Sequence, residues 1–300
     1  MPRFPLLAAA VLLAPPAFAQ GVTVETARGP ADLPGAPASV AAYDIAAIDT
    51  LDALGVAPTG VPDRLYVDYL SHLAGTATPV GTLFEPDLEA LNALAPDLVI
   101  VGGRSADQLD SVSALAPAID MTIPGGDLVT QALARLDAYG TIFGREEEAR
   151  RLAEGFQAKL QEARAVVADQ GDALIVMTNG PKVTAYGAGS RFGWIHQATG
   201  FPEAVPGLED ASHGEAISFE FIREADPDWL IVVDRAAAIG EDGERAQQTL
   251  DNELVAGTTA WRDGHVIYLD AAATYVAGGG IQSMSRTLDT LIEGIRATGS

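Results

Sequence analysis

The stretch EPDLEALNALAPDLVIVGGR, Glu85–Arg104, returns in altered form as ISFEFIREADPDWLIVVDR, Ile217–Arg235. With Pro96 set on Pro227, Glu89 meets Glu220, Leu91 meets Ile222, Asp97 meets Asp228, Val101 meets Val232 and Arg104 meets Arg235. Each copy reads as a helix that stops before Pro-Asp, a short buried strand, and a loop that carries an arginine. A Pro-Asp before a strand recurs in α/β proteins, but the matched flanks make this a duplicated unit. A chain built on such a duplication is constrained to two similar halves.

The rest of the pattern agrees. Short β-branched runs at Ser39–Tyr43, Leu98–Val101, Ala173–Met177, Leu230–Val233 and Val266–Leu269 predict strands. Helical spacing covers Ile45–Leu54, Pro86–Leu94, Ala106–Leu115, Leu128–Phe143, Phe219–Glu224 and Ile281–Thr298. Strands alternating with helices give an α/β sandwich in each half. Between the copies lies Arg145–Ala168, with Glu146, Glu147 and Glu148 at the start and Leu152, Phe156, Leu160 and Ala163 on one face. It predicts one rigid helix, roughly 36 Å long. The expected fold is therefore α/β, with two sandwich lobes joined by one long α-helix: residues 20–144, 145–168 and 169–300. Ligands of open α/β sheets bind beyond the carboxyl ends of strands. Arg104 and Arg235 would then face each other across a cleft between the lobes.

The first nineteen residues are set apart from the fold. A basic start at Met1–Arg3, an apolar run at Leu6–Ala14 and the small-residue site Ala17-Phe18-Ala19 predict a cleaved export signal. The chain has no cysteine, which removes disulfides, iron–sulfur ligation, thiol catalysis and a lipid-bearing cysteine anchor. A freely soluble periplasmic protein is the simplest expectation. The net charge of −23 excludes nucleic acid as a partner, because phosphate binding needs basic surface. Only two lysines occur, so nearly all positive charge is arginine.

Three arginines lie in loops suited to a ligand: Arg104 in VGGRS, Arg191 in YGAGSRFGWI and Arg235 in VVDRA. A guanidinium presents a planar set of donors to carboxylate, phenolate or phosphate oxygens. Each alone has a surface ion pair as its ordinary role; together, in so acidic a chain, they point to an anionic ligand. The loop Gly187–Gly193 has one residue too many for a dinucleotide fingerprint, and no P-loop lysine occurs. Of the histidines, His72, His196 and His265 suit structural roles, whereas His213 stands in the polar loop EDASHGE. Tyr275 lies in DAAATYVAGGG, read as a loop after the last strand. Neutral imidazole and tyrosinate both ligate iron, so this pair is a candidate metal-ligand set beside ordinary polar roles. No HExxH, glycine-flanked serine or close carboxylate pair argues for hydrolysis.

Across nearly its whole length after the export signal, the chain resembles the periplasmic substrate-binding proteins of iron–siderophore ABC importers, the class III type. Among them it is most similar to binders of ferric catecholates. The resemblance rests on VGTLFEPDLEALNALAPDLVIVGGR, GSRFGWI, SHGEAISFEFI, PDWLIVVDR and IYLDAAATYVAGGG. It implies that Arg104, Arg191 and Arg235 contact catecholate oxygens. It implies that His213 and Tyr275 ligate the Fe(III) of the bound siderophore, filling sites left by a chelator with two catechols. It implies that Glu89 and Glu220 meet arginine pockets on the membrane permease. The iron siderophore is cargo, no intrinsic cofactor is expected, the partner is the permease at the inner membrane, and the protein is a monomer without catalysis.

Two rival readings keep the same residues. One is a binder of haem, cobalamin or a hydroxamate siderophore on this scaffold. The other is an exported enzyme that clamps an anionic substrate with the three arginines and uses His213 as base; the missing nucleophile counts against it.

Overall fold

A computed structural model describes residues 21–208 and 213–298; the export signal expected at residues 1–19 lies outside them. The first half opens with a hairpin, β1 (Val22–Thr26) and β2 (Gly29–Leu33). Then come β3 (Val40–Ala42), α1 (Ile45–Ala53), β4 (Gly60–Val61) and β5 (Thr78–Pro79). They are followed by α2 (Leu88–Leu94), β6 (Leu98–Val101), α3 (Leu109–Ser113), β7 (Ala118–Asp120) and α4 (Leu128–Phe143). The sheet has the order β5-β4-β3-β6-β7, and every pair is parallel. Its order reverses between β3 and β6, which is where such sheets take ligands.

The long helix α5 (Glu146–Val167) leads to the second half. There, β8 (Ala173–Asn179), β9 (Lys182–Tyr186), α6 (Trp194–Thr199), β10 (Glu215–Ile217), α7 (Phe219–Ala225), β11 (Trp229–Asp234) and α8 (Arg235–Ile239) follow. Three short helices, α9 (Ala246–Leu250), α10 (Glu253–Ala256) and α11 (Thr259–Arg262), precede β12 (Val266–Tyr268), α12 (Ala271–Tyr275) and α13 (Ile281–Thr298). The sheet order is β10-β9-β8-β11-β12, with β8, β11 and β12 parallel and β9 and β10 antiparallel.

The central strands are buried on both faces, as their unbroken apolar runs require. In β6, Leu98 and Ile100 face the large shared core, while Val99 and Val101 face a second cluster with Leu91 and Val112. In β11, Trp229, Ile231 and Val233 face the shared core, while Leu230 and Val232 pack with Ile222, Leu250 and Val255. Each half is thus a three-layer sandwich.

The duplicated unit has the same build twice. α2 is capped by Asp87, whose carboxylate accepts from the Glu89 and Ala90 amides; α7 is capped by Ser218, which accepts from the Phe221 amide. α2 ends on left-handed Ala95 (φ +46) and α7 on left-handed Asp226 (φ +40), each just before Pro-Asp. The aspartate of Pro-Asp then ties down the neighbouring strand. Asp97 accepts from the Ala38 and Ser39 amides ahead of β3, and Asp228 accepts from the Asp172 amide ahead of β8.

Several boundaries differ from expectation. The helix expected over Ala106–Leu115 is a 3-10 turn, Gly103–Gln108, followed by α3, because Leu109 begins the α-helical run only after the tight turn that Ser105 closes onto the Gly102 amide. The two-residue strands β4 and β5, the hairpin β1–β2 and the antiparallel pair β9–β10 carry no long β-branched run and were not expected. α13 also does more than end the chain. It packs along α5, rests on α1 at its start and on β12 further along, so a second helix joins the halves.

Candidate functional site

Tyr275 stands where the two halves meet. It is the last residue of α12, not part of a loop as expected, because Asp270 caps that helix by accepting from the Ala273 amide. Three guanidinium groups converge on its ring. Their Cζ atoms lie 4.4 Å (Arg191), 5.3 Å (Arg104) and 6.0 Å (Arg235) from the ring centroid. All four side chains are half-buried.

Each arginine arrives by a different route. Arg104 follows β6 at the point where the first sheet reverses its order, and it crosses to the second half: Nη2 donates to the Tyr275 carbonyl at 3.0 Å and Nη1 to the Val276 carbonyl at 3.4 Å. Arg191 comes from the loop between β9 and α6 and donates to the same Tyr275 carbonyl. That loop closes on itself, with Ser190 and Gly193 bonded back to Gly187 and Ser190, and Phe192 packed on Tyr186 at 4.6 Å. A Cβ at Gly193 would overlap the Ala188 and Gly187 carbonyls, so glycine is required there. Arg235 opens α8 and is steadied by Asn179 at 3.3 Å and Glu241 at 3.7 Å.

The electrostatics are those of an anion site. Burial raises the Tyr275 pKa, but a hydrogen bond from Arg235 and the charges of Arg191, Arg235 and Arg104 outweigh it, and the net shift is downward. Burial, and then the nearby Arg104 charge, hold the Arg191 pKa below its ordinary value. Beneath Arg104, Asp44 caps α1; burial pushes its carboxyl up to about 6 against the pull of the Ala46 amide and Arg104.

A family model for periplasmic binding proteins matches residues 40–273. The chain belongs to that family. This periplasmic binding protein is 31% identical to the petrobactin-binding protein YclQ of Bacillus subtilis over 267 residues, 88% of this chain and 84% of YclQ. The crystal structure of YclQ superposes with a TM-score of 0.86, covering 92% of this chain and 99% of that one. The ferric-anguibactin-binding protein FatB of Vibrio anguillarum is 30% identical over 286 residues, 92% of this chain and 88% of FatB. The periplasmic catecholate-siderophore binding protein VctP of Vibrio cholerae is 31% identical and has a TM-score of 0.82, covering 93% of this chain and all of that one.

The remaining expected residues of this binding protein are placed differently. His213 is exposed, in a turn that follows residues 209–212 and precedes β10, and among the described residues it makes no hydrogen bond to Tyr275. Glu89 and Glu220 are exposed and occupy the second position of α2 and α7. The Glu220 pKa is lowered by its own backbone amide and by Ser218. His72 pairs with Asp52, buried His196 bonds the Phe201 carbonyl, and His265 stacks on Trp229 at 4.2 Å, three structural roles as expected. Asp44, Asn179 and Glu241 escaped the sequence reading. Asn179 had a visible signal, its place just before the Gly180-Pro181 turn that closes β8 onto β9.

Proposed function

We propose that this chain binds a ferric catecholate siderophore in the cleft and delivers it to an ABC importer for iron uptake. The observation that carries the reading is the set of three guanidinium groups around one tyrosine, contributed by both halves. Catecholate oxygens are hard, closely spaced anions that match arginine donors. Relatives whose names specify petrobactin, anguibactin and catecholate siderophores support the ligand class.

In this reading Arg104, Arg191 and Arg235 hold the catecholate oxygens. Tyr275 ligates Fe(III) as the phenolate, which the three cations favour, and His213 supplies the second donor from the rim. Both fill positions that a tetradentate chelator leaves to water. The iron complex is cargo, the protein is not an enzyme, and it acts as a monomer. Glu89 and Glu220 dock on the permease. Export by the signal at residues 1–19, without a lipid anchor, places the protein in the periplasm; among the described residues no helix is long and apolar enough to cross a membrane.

The test is a fluorescence-quench titration with ferric catecholates, ferric hydroxamates, ferric citrate and haem, read together with visible spectra. Saturable binding of a ferric catecholate, with its charge-transfer band perturbed, is the expected result. Preference for haem with a Soret band, or for a hydroxamate, would replace this reading with its rival.

A further inference from the structure

Arg64 stands just beyond β4, at the carboxyl end of the first sheet and two strands from the β6 end that carries Arg104. Its guanidinium reaches the other half of the molecule. Gly240, the left-handed residue (φ +64) that ends α8, lies against that guanidinium: a Cβ there would overlap Arg64 Nη2 and lie 3.0 Å from Cζ. α8 begins at Arg235, so Arg235 and Arg64 mark the two ends of one short helix, roughly 8 Å apart along its axis.

Arg64 is held by an aromatic ring, not by an acid. Its Cζ lies 4.7 Å from the centroid of Tyr66. Tyr66 has φ +66, a backbone conformation that aromatic residues rarely take and that persists where the surroundings demand it. Among the described residues no carboxylate pairs with Arg64. Glu241, next to Gly240, pairs with Arg235 instead. In a chain with 41 acidic residues against 18 basic ones, an exposed guanidinium facing the cleft without an acid is an open receptor for a planar anion.

We propose that Arg64, seated on Tyr66, is an outer subsite of the cleft that binds a carboxylate arm of the ligand lying outside its iron-chelating catechols. The proposal rests on the ferric-catecholate reading above. The three inner arginines take the charge at the metal, whatever the backbone of the chelator. Arg64 reads that backbone, and so distinguishes chelators that share the same catechols.

Two probes separate these roles: ferric bis(2,3-dihydroxybenzoyl)lysine, whose carboxylate is free, and the ferric complex of its lysine amide. Wild-type protein binds the carboxylate form more tightly. Arg64→Gln weakens that form about tenfold, the lower end for a charged hydrogen bond because the site is exposed, and changes the amide by less than about twofold. Arg104→Gln weakens both probes alike. Gly240→Ala, whose Cβ displaces the guanidinium, repeats the selective loss, and thermal unfolding of each variant separates a lost fold from a lost contact. Equal losses for the two probes in Arg64→Gln, or no loss for either, overturn the outer subsite while leaving the ferric-catecholate reading intact. If the wild type binds neither probe, the ferric-catecholate reading falls and the subsite falls with it.

Discussion

Removing the carboxylate of Asp49 tests how the two halves are held. Asp49 is fully buried on α1 and accepts from three donors: the Tyr69 hydroxyl at 2.6 Å and the Gln282 and Ser283 amides at 2.9 and 3.0 Å. It therefore caps α13, a helix whose later turns rest on β12, and ties the start of that helix to the first half. The fit is close: a Cβ on Gly280 would lie 2.8 Å from the Asp49 Cβ and overlap its carboxylate. Arg286 covers the Tyr69 ring at 4.2 Å, and Gln282 adds bonds to the Asp49 carbonyl and to Asp52.

Burial raises the Asp49 carboxyl from 3.8 to about 7, outweighing its hydrogen bonds from Tyr69, Gln282 and Ser283, with Asp52 adding a smaller upward push. The sign follows from linkage. Between pH 4 and 7 the folded chain keeps this proton and the unfolded chain does not, so the stability that Asp49 confers is full at low pH and is lost as pH rises toward 7. The slope is about 1.4 kcal/mol per pH unit in mid-range and flattens as pH nears 7, so roughly 2 kcal/mol disappears between pH 5 and 7. Asp49→Ala removes the cap at every pH, which costs about 1–2 kcal/mol, and removes the titration as well. The gap between wild type and Asp49→Ala should therefore shrink by roughly 2 kcal/mol from pH 5 to pH 7, closing the difference that loss of the cap makes, then change little to pH 8. Urea unfolding of the ligand-free protein, followed by tryptophan fluorescence at each pH, measures that gap. A gap that is constant, or that widens as pH rises, would mean the carboxylate is ionised throughout, and the argument from burial would be wrong.

Arg104→Ala, Arg191→Ala and Arg235→Ala should each weaken ferric-catecholate binding about tenfold to a hundredfold, from roughly 1.5–3 kcal/mol per charged hydrogen bond, without loss of fold; unchanged titrations in all three would remove the cleft assignment. Glu89→Arg and Glu220→Arg should leave affinity unchanged and abolish uptake in cells, and normal uptake by both would refute docking through these residues. His213→Ala and Tyr275→Phe should weaken a tetradentate ferric complex and spare a hexadentate one of similar charge, with the visible band shifted differently in Tyr275→Phe; equal losses for both ligand types would limit the pair to shaping the pocket.

The elements that the sequence revealed are those whose signal is local. Leu98–Val101, Leu128–Phe143 and Ile281–Thr298 were legible to the residue, because a buried parallel strand and an amphipathic helix leave uninterrupted patterns. β4 and β5 were not, since two residues of ladder carry no period and exist only because β3 lies beside them. The cleft divided in the same way. The loops of Arg104 and Arg235 were visible through the duplication. That Arg104, Arg191 and Arg235 share one tyrosine depends on α12 bringing Tyr275 back, and α12 is a single turn fixed by Asp270. The crossing role of α13 was hidden because its decisive contact joins Asp49 to Ser283, far apart in sequence and unremarkable in composition.

The duplicated unit also places the two glutamates proposed for docking and two of the arginines at one face of the molecule. In each copy a seven-residue helix leads into its strand through a short connection, Ala95–Asp97 or Asp226–Asp228, and turns back along the sheet. Helix and strand therefore run in opposite directions, and the start of the helix lies at the same edge of the sheet as the end of the strand. Glu89 opens α2 and Arg104 closes β6; Glu220 opens α7 and Arg235 follows β11. Both glutamates thus stand on the side where the arginines gather. Two helices, α5 and α13, join the halves on the shared core, and the buried Asp49 cap fixes the second of them. Wide hinge opening would break that cap and part the shared core. The spacing between Glu89 and Glu220 is accordingly set by packing far from the arginines, and under the docking proposed above a permease that grips both addresses the site without first pulling the halves apart.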